Sequence, residues 1–183
     1  MINKDVESIL IGEDELKQIV KRIANDITKD YKDRNTKLLL LCILKGSVVF
    51  MGDLMKEIGL PVEIDFMKVS SYGRGAKTSG SVNIVLDIHR NDLDNVDILI
   101  VEDIIDSGRT LAYLTEYLTL KGAKSVKTVT LLDKPSRREV DFTPDYRGKE
   151  IPDEFVVGYG LDYNEQYRAL PYVGILKREV YTK

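Results

Sequence analysis

From Asp14 to Tyr31 apolar residues fall at Leu16, Ile19, Val20, Ile23, Ile27 and Tyr31, a spacing of three and four that predicts an amphipathic helix. The pattern then changes. Leu38 to Leu44 is a short unbroken apolar run, as expected of a strand covered on both faces. Ser47 to Ile58 predicts a helix ended by Gly59 and Pro61, and Val62 to Val69 and Val82 to Ile88 predict strands. Ile98 to Val101 reads as a buried strand leading into the stretch VEDIIDSGRT. Thr110 to Leu120 is then helical, with Leu111, Leu114 and Leu118 on one face and Gly122 as its stop. Val126 to Leu132 returns to strand.

Apolar strands alternating with helices predict an α/β fold, a mainly parallel sheet flanked by helices. Ligands of such sheets sit at the carboxyl ends of the strands. Three stretches fall there: LKGS after the first strand, VEDIIDSGRT after the central one and LLDKPSRR after the next. Between two strands, SSYGRGAKTSG (70–80) is rich in Gly, Ser and Lys and has no apolar period. It suits either a mobile lid or an exposed hairpin loop. No internal repeat interrupts this order.

Length and composition narrow the function classes. A chain of 183 residues fits one domain and buries a core without disulfide staples. A net charge of −3 with 31% charged residues argues against a general nucleic-acid binder, although a local basic patch stays open. The opening MINKDVESIL lacks the features of a secretion signal, and no apolar run approaches the ~18 residues of a membrane span. The expectation is a cytoplasmic protein. The one cysteine, Cys42, lies inside LLLLCIL and reads as a core residue rather than a nucleophile.

VEDIIDSGRT carries the sharpest chemistry. Ser107, Gly108, Arg109 and Thr110 lie where strand gives way to helix, a place where free N–H groups, hydroxyls and the helix dipole attract an anion. Alone, Ser107 and Thr110 read first as helix caps. The preceding acids shift that balance, because adjacent carboxylates at the end of a buried strand are costly to desolvate unless something pairs with them. Neither the Walker A pattern nor G-x-G-x-x-G fits this segment. A phosphorylated sugar with free hydroxyls, together with Mg²⁺, satisfies both halves.

The same ten residues resemble the phosphoribosyl diphosphate (PRPP) signature of type I phosphoribosyltransferases. LKGS, SSYG, LLDKPSRR and DEFVVGYGLDYNEQYR follow in the order and approximate spacing of hypoxanthine-guanine phosphoribosyltransferases, from about Leu38 to the C-terminus. The resemblance implies a single domain with a core at about 36–150, a hood built from the N-terminal segment and about 151–183, and a lid at 70–80. It also implies a homo-oligomer, dimer or tetramer.

Roles carry across residue by residue. The resemblance places Glu102 and Asp103 near the ribose hydroxyls and a sugar-bound Mg²⁺, and counts Ile104 and Ile105, between them and the phosphate turn, among the substrate-binding residues. It wraps Ser107, Gly108, Arg109 and Thr110 around the 5′-phosphate. A regular strand points Glu102 and Asp103 to opposite faces, so both serve one sugar only if the strand ends there, or through different contacts. Asp106 matches the acid near purine N7, which either shares its proton or stabilises a cationic transition state. Lys45 and Gly46 match the pyrophosphate loop, whose peptide before the lysine can be cis; without the resemblance they are a plain turn. Lys134 matches the lysine on the purine 6-oxygen, though alone it is a surface lysine. Phe155 is expected to stack on the base and the backbone of Val156 to read its edge, although FVVGY by itself suggests core packing.

Asp162 matches the acid of a second metal ion and of the purine 2-substituent, and Arg168 the pyrophosphate-binding arginine. Ser71 and Tyr72 match the pair that closes over pyrophosphate. His89 matches no site and reads as surface or structural. The cluster Lys134, Arg137 and Arg138 reads as a solvated face with one substrate lysine. The implied reaction joins a purine base to PRPP, giving a nucleoside monophosphate and pyrophosphate. The rivals are a nucleic-acid-binding regulator of the same fold and a phosphoribosyltransferase for another base, such as xanthine or a pyrimidine.

Overall fold

The computed structural model describes residues 2–71 and 82–182. Tyr72 and most of the expected lid lie outside them, as does the side chain of Ser71. The described chain runs β1 (Val6–Ile11), α1 (Glu13–Tyr31), β2 (Lys37–Ile43), α2 (Val48–Glu57), β3 (Glu63–Ser71), β4 (Val82–Leu86), β5 (Val96–Ile105), α3 (Arg109–Leu120), β6 (Ser125–Asp133), β7 (Tyr146–Glu150), β8 (Val156–Val157), β9 (Val173–Leu176) and α4 (Arg178–Tyr181).

A 6-stranded sheet in the order β4-β3-β2-β5-β6-β7 forms the core. All its neighbours pair in parallel except β3 and β4, which are antiparallel, so β4 is a reversed edge strand. Alternation along the central strands divides the core in two. Leu38, Leu40 and Cys42 of β2 and Leu99 and Val101 of β5 pack with Ile23, Ile27, Phe50 and Leu54 of α1 and α2. Leu39, Leu41, Ile43, Ile98 and Ile100 face Leu111, Leu114 and Leu118 of α3. Burying both faces explains why β2 reads as a continuous apolar run. Cys42 is fully buried and burial pushes its thiol up, as a core cysteine requires.

A second, 3-stranded antiparallel sheet, β1-β9-β8, draws on both ends of the chain. It carries Val156 in β8, paired with Ile175. No helix among the described residues is long and apolar enough to cross a membrane.

Candidate active site

Strand β5 carries acids at both ends, and their surroundings are opposite. At the amino end, Asp97 is 1% exposed and accepts from Arg34 at 3.2 Å and from the hydroxyls of Thr36 and Ser125. Burial raises its pKa, but those hydrogen bonds outweigh it and hold the carboxyl below its usual value. At the other end, Glu102 and Asp103 make no ion pair among the described residues. Burial, then the neighbouring Asp103 charge, pushes Glu102 well above the usual carboxylate range. Burial also raises Asp103, with Arg168 opposing the rise. Asp97 is a satisfied structural acid, whereas the half-buried Glu102–Asp103 pair has no cationic side chain paired with it among the described residues.

The strand does not end at these acids. Glu102 pairs with Thr130, Ile104 with Leu132 and Ile105 with Asp133, so β5 continues four residues past the expected Val101. Alternation therefore persists, and the two carboxylates have different contacts. Glu102 lines the cavity on the α3 side. Asp103 turns to the other face, where a Cβ added to Gly46 would overlap its carboxylate.

After Ile105 the chain turns through Asp106 and Ser107 into α3. Gly108, at the helix N-cap, has φ 81°, a left-handed conformation that favours glycine. A side chain there would also press on Arg138, Val140 and Phe142, the nearest atom lying 3.0 Å from the added Cβ. Arg138 spans the turn, donating to the Asp106 carbonyl at 2.5 Å and to the Asp133 carboxylate. The amides of Glu139 and Val140 donate to the Ser107 carbonyl at 3.0 and 3.4 Å. Arg138 is thus a brace rather than part of a solvated face, and its side chain is 17% exposed. Arg137 pairs with Asp153 at 2.5 Å, so of the expected basic cluster only its position is solvated.

A cavity of about 280 Å³ opens here, walled by Leu44, Glu102, Ile104, Ile105, Asp106, Ser107, Gly108 and Thr110. Arg109 points outward to Glu139 at 2.6 Å. One carboxylate oxygen of Asp106, Oδ1, is buried with no hydrogen-bond partner among the described residues.

Lys45, Gly46 and Arg168, the residues expected at pyrophosphate, come together on the Asp103 face of β5. The Leu44–Lys45 peptide is cis. Gly46 sits between the Asp103 carboxylate and Gly160, since a Cβ on Gly160 would overlap the Gly46 carbonyl. Arg168 donates to the Gly160 carbonyl at 2.8 Å and pairs with Asp162 at 2.9 Å. Lys45 pairs with Glu165 at 2.9 Å. Glu165 therefore belongs to this group, although no sequence pattern singles it out.

The residues expected at the base come from other elements. Lys134 is 6% exposed, and its amide donates to the Ile105 carbonyl at 3.0 Å, tying the end of β6 to the end of β5. Phe155 is 37% exposed, too open for a core residue. Its ring stacks on Tyr181 of α4 at 4.8 Å and 23° and meets Tyr163 edge-on at 5.5 Å. These residues lie outside the walls of the cavity. His89 is exposed.

The described residues contain no cluster of three His, Cys, Asp or Glu side chains able to hold a metal. Glu102, which makes no ion pair among the described residues, and the unpartnered Asp106 oxygen nevertheless share one cavity and fit a divalent cation completed by ligand oxygens, with Asp103 on the opposite face. Asp162 stands apart from them, paired with Arg168.

An acid-lined cavity joined to a glycine-centred turn and a helix N-terminus, at the carboxyl end of a mainly parallel sheet, defines an α/β protein with a ligand site suited to an anionic group. Residues 8–164 match the phosphoribosyl transferase domain, and the chain belongs to that family. It is 51% identical over 181 residues to the hypoxanthine-guanine phosphoribosyltransferase of Bacillus subtilis, covering 99% of each chain. It is also 49% identical to the bifunctional protein TilS/HprT of Listeria monocytogenes, of whose length it spans 28%. A crystal structure of a hypoxanthine phosphoribosyltransferase from Staphylococcus aureus superimposes with a TM-score of 0.91 at 48% identity, covering 98% of this chain and 96% of that one.

Proposed function

We propose that the protein transfers the 5-phosphoribosyl group of PRPP to N9 of hypoxanthine or guanine, giving IMP or GMP and pyrophosphate in purine salvage. The observation that carries this is the cavity that joins Glu102 and Asp106 to the turn Ser107–Thr110 at the end of β5. It offers a phosphate seat and an acidic, electron-rich wall to one ligand, as a sugar phosphate with a reactive anomeric carbon requires.

In this scheme the turn and the α3 N-terminus hold the 5′-phosphate, and Glu102 and Asp103 face the ribose hydroxyls. Lys45 and Arg168 take the pyrophosphate, while Phe155, Val156 and Lys134 orient the base. Attack of N9 on C1′ forms the N9–C1′ bond with inversion as the C1′–O bond breaks, and the electron pair leaves with pyrophosphate. Asp106 receives the N7 proton or balances the positive charge developing on the sugar. Mg²⁺ held by Glu102 and Asp103, with a second ion at Asp162, would neutralise charge on the departing pyrophosphate. Ser71 and Tyr72 are assigned to closure over that group, which would exclude water from an activated C1′.

The same proposal places the protein in the cytoplasm as a homo-oligomer, dimer or tetramer, on the strength of the resemblance. Incubation with PRPP, Mg²⁺ and each purine base separately, comparing kcat/KM, tests the activity and ranks hypoxanthine, guanine and xanthine. Absence of turnover with every base, combined with salt-dependent nucleic-acid binding, would replace the enzyme with a regulator.

A further inference from the structure

We propose that Glu165 is an internal stand-in for pyrophosphate, a carboxylate that occupies Lys45 and Arg168 until the ligand displaces it. This rests on the function proposed above, in which those two cations receive pyrophosphate. It assigns to Glu165 a role in ligand exchange rather than in the bond-making step.

The local backbone gives the first reason. Tyr163 and Gln166 exchange main-chain hydrogen bonds at 3.3 and 3.0 Å, closing a two-residue turn on Asn164 and Glu165. Both turn residues are left-handed, with φ 50° and 61°. Such a turn favours Asn at its first position and Gly at its second. Glutamate at the second position is therefore an outlier, held where a residue with a Cβ is disfavoured. Such a conformation persists where the surrounding structure holds it.

The ion pairs give the second reason. Oε1 of Glu165 accepts from Lys45 Nζ at 2.9 Å, and Oε2 lies 3.3 Å from an Arg168 terminal nitrogen. One carboxylate thus bridges two cations that come from segments far apart in the chain. The turn is fixed at its base, because the Glu165 amide donates to Asp162 at 2.9 Å while Asp162 also pairs with Arg168. The Glu165 side chain itself is 65% exposed, so it can swing away without unpacking anything.

The exchange is favourable in charge. Pyrophosphate brings more charge and more oxygens than one carboxylate, so it wins the contest for Lys45 and Arg168. When it departs, Glu165 returns to Lys45 and to Arg168, which keeps its pair with Asp162 throughout. Binding is weakened modestly and release is eased.

Calorimetric titration of pyrophosphate with Mg²⁺ into the wild-type protein and into E165Q and E165G tests this. Glutamine keeps the shape and removes the charge; glycine also relieves the left-handed turn. Both variants are expected to bind pyrophosphate about 2- to 5-fold more tightly, the upper part of the range set by exposed ion pairs. They are also expected to release it more slowly in stopped-flow chase, and E165G to melt at a higher temperature. Unchanged or weaker affinity in both variants, with native circular dichroism, would overturn the inference and leave the proposed activity standing. Failure of the wild-type protein to bind pyrophosphate or PRPP would remove both.

Discussion

The Arg138 guanidinium holds the main-chain carbonyl of Asp106 at 2.5 Å and, through its other terminal nitrogen, the buried Asp133 carboxylate. A residue 32 positions along the chain therefore sets where the acid of the turn stands. Arg138→Met should lower kcat/KM roughly 10- to 100-fold, because a small displacement of a reacting group is enough to lose that much. It should also cost about 2 kcal/mol of stability through the lost charged hydrogen bonds. Steady-state kinetics and urea denaturation on the same preparation check both numbers. Wild-type kinetics in a destabilised variant would make Arg138 purely structural.

Asp106→Asn tests the acid itself. Its Oδ1 is buried and free of any partner among the described residues, so the amide fits the same space while losing the charge. A fall in kcat of about 100-fold or more is expected, with a much smaller change in KM for PRPP. An unaltered kcat would take Asp106 out of the chemistry.

The raised carboxyls of β5 predict a pH dependence of stability with a definite sign. Free in an unfolded chain, Glu102 and Asp103 would titrate near 4.5 and 3.8, whereas burial lifts both in the folded protein. The native state therefore keeps protons that the unfolded chain has released. Their stabilising contribution is complete below those ordinary values and is lost as pH rises through the raised ones. Metal-free protein should show a melting temperature that falls with pH in this window, and Glu102→Gln should flatten the fall. Added Mg²⁺ should reverse it, since the cation binds the deprotonated pair and competes with protons. Parallel melting profiles for wild type and variant would contradict the assignment.

Tyr181 lies against the ring that is expected to meet the base, stacked on Phe155 at 4.8 Å. Tyr181→Ala should raise KM for the purine about 2- to 10-fold, matching the ~0.5 to 1.5 kcal/mol of an aromatic pair, and leave KM for PRPP unchanged. Varying each substrate separately distinguishes this from a general loss of activity. Equal increases in both KM values would mean that α4 serves stability alone.

The legible parts of the fold were those whose burial is written into composition. β2 is visible because Leu38 to Ile43 are buried on both faces, and α1 because its buried residues recur with helical spacing. The end of β5 is hidden because Glu102 and Asp103 break the apolar run, while main-chain pairing with β6 carries the strand on regardless. β7, YRGKE, offers no period at all; it is an edge strand placed by pairing with Val129 to Asp133. The same gap affects the site. Ser107 to Thr110 announce themselves by residue type, but Arg138 looks like any surface arginine until the turn folds beneath it. Glu165 depends on a left-handed turn and on the approach of Lys45, neither of which local composition contains. The expected roles of Ser71 and Tyr72 fall outside the described side chains.

The small sheet β1-β9-β8 places the first strand of the chain beside the last. On the ribosome this separates the two halves of the site in time. The strands around the phosphate turn, β2, β5 and β6, are all translated by Asp133 and can pair early. The strand that carries Val156 has no partner until β9, Val173–Leu176, has emerged, and Tyr181 is later still. A chain cut short by a dozen residues would thus keep the turn at Ser107–Thr110 and Lys134, but leave Val156 without its strand partner and Phe155 without Tyr181 beside it.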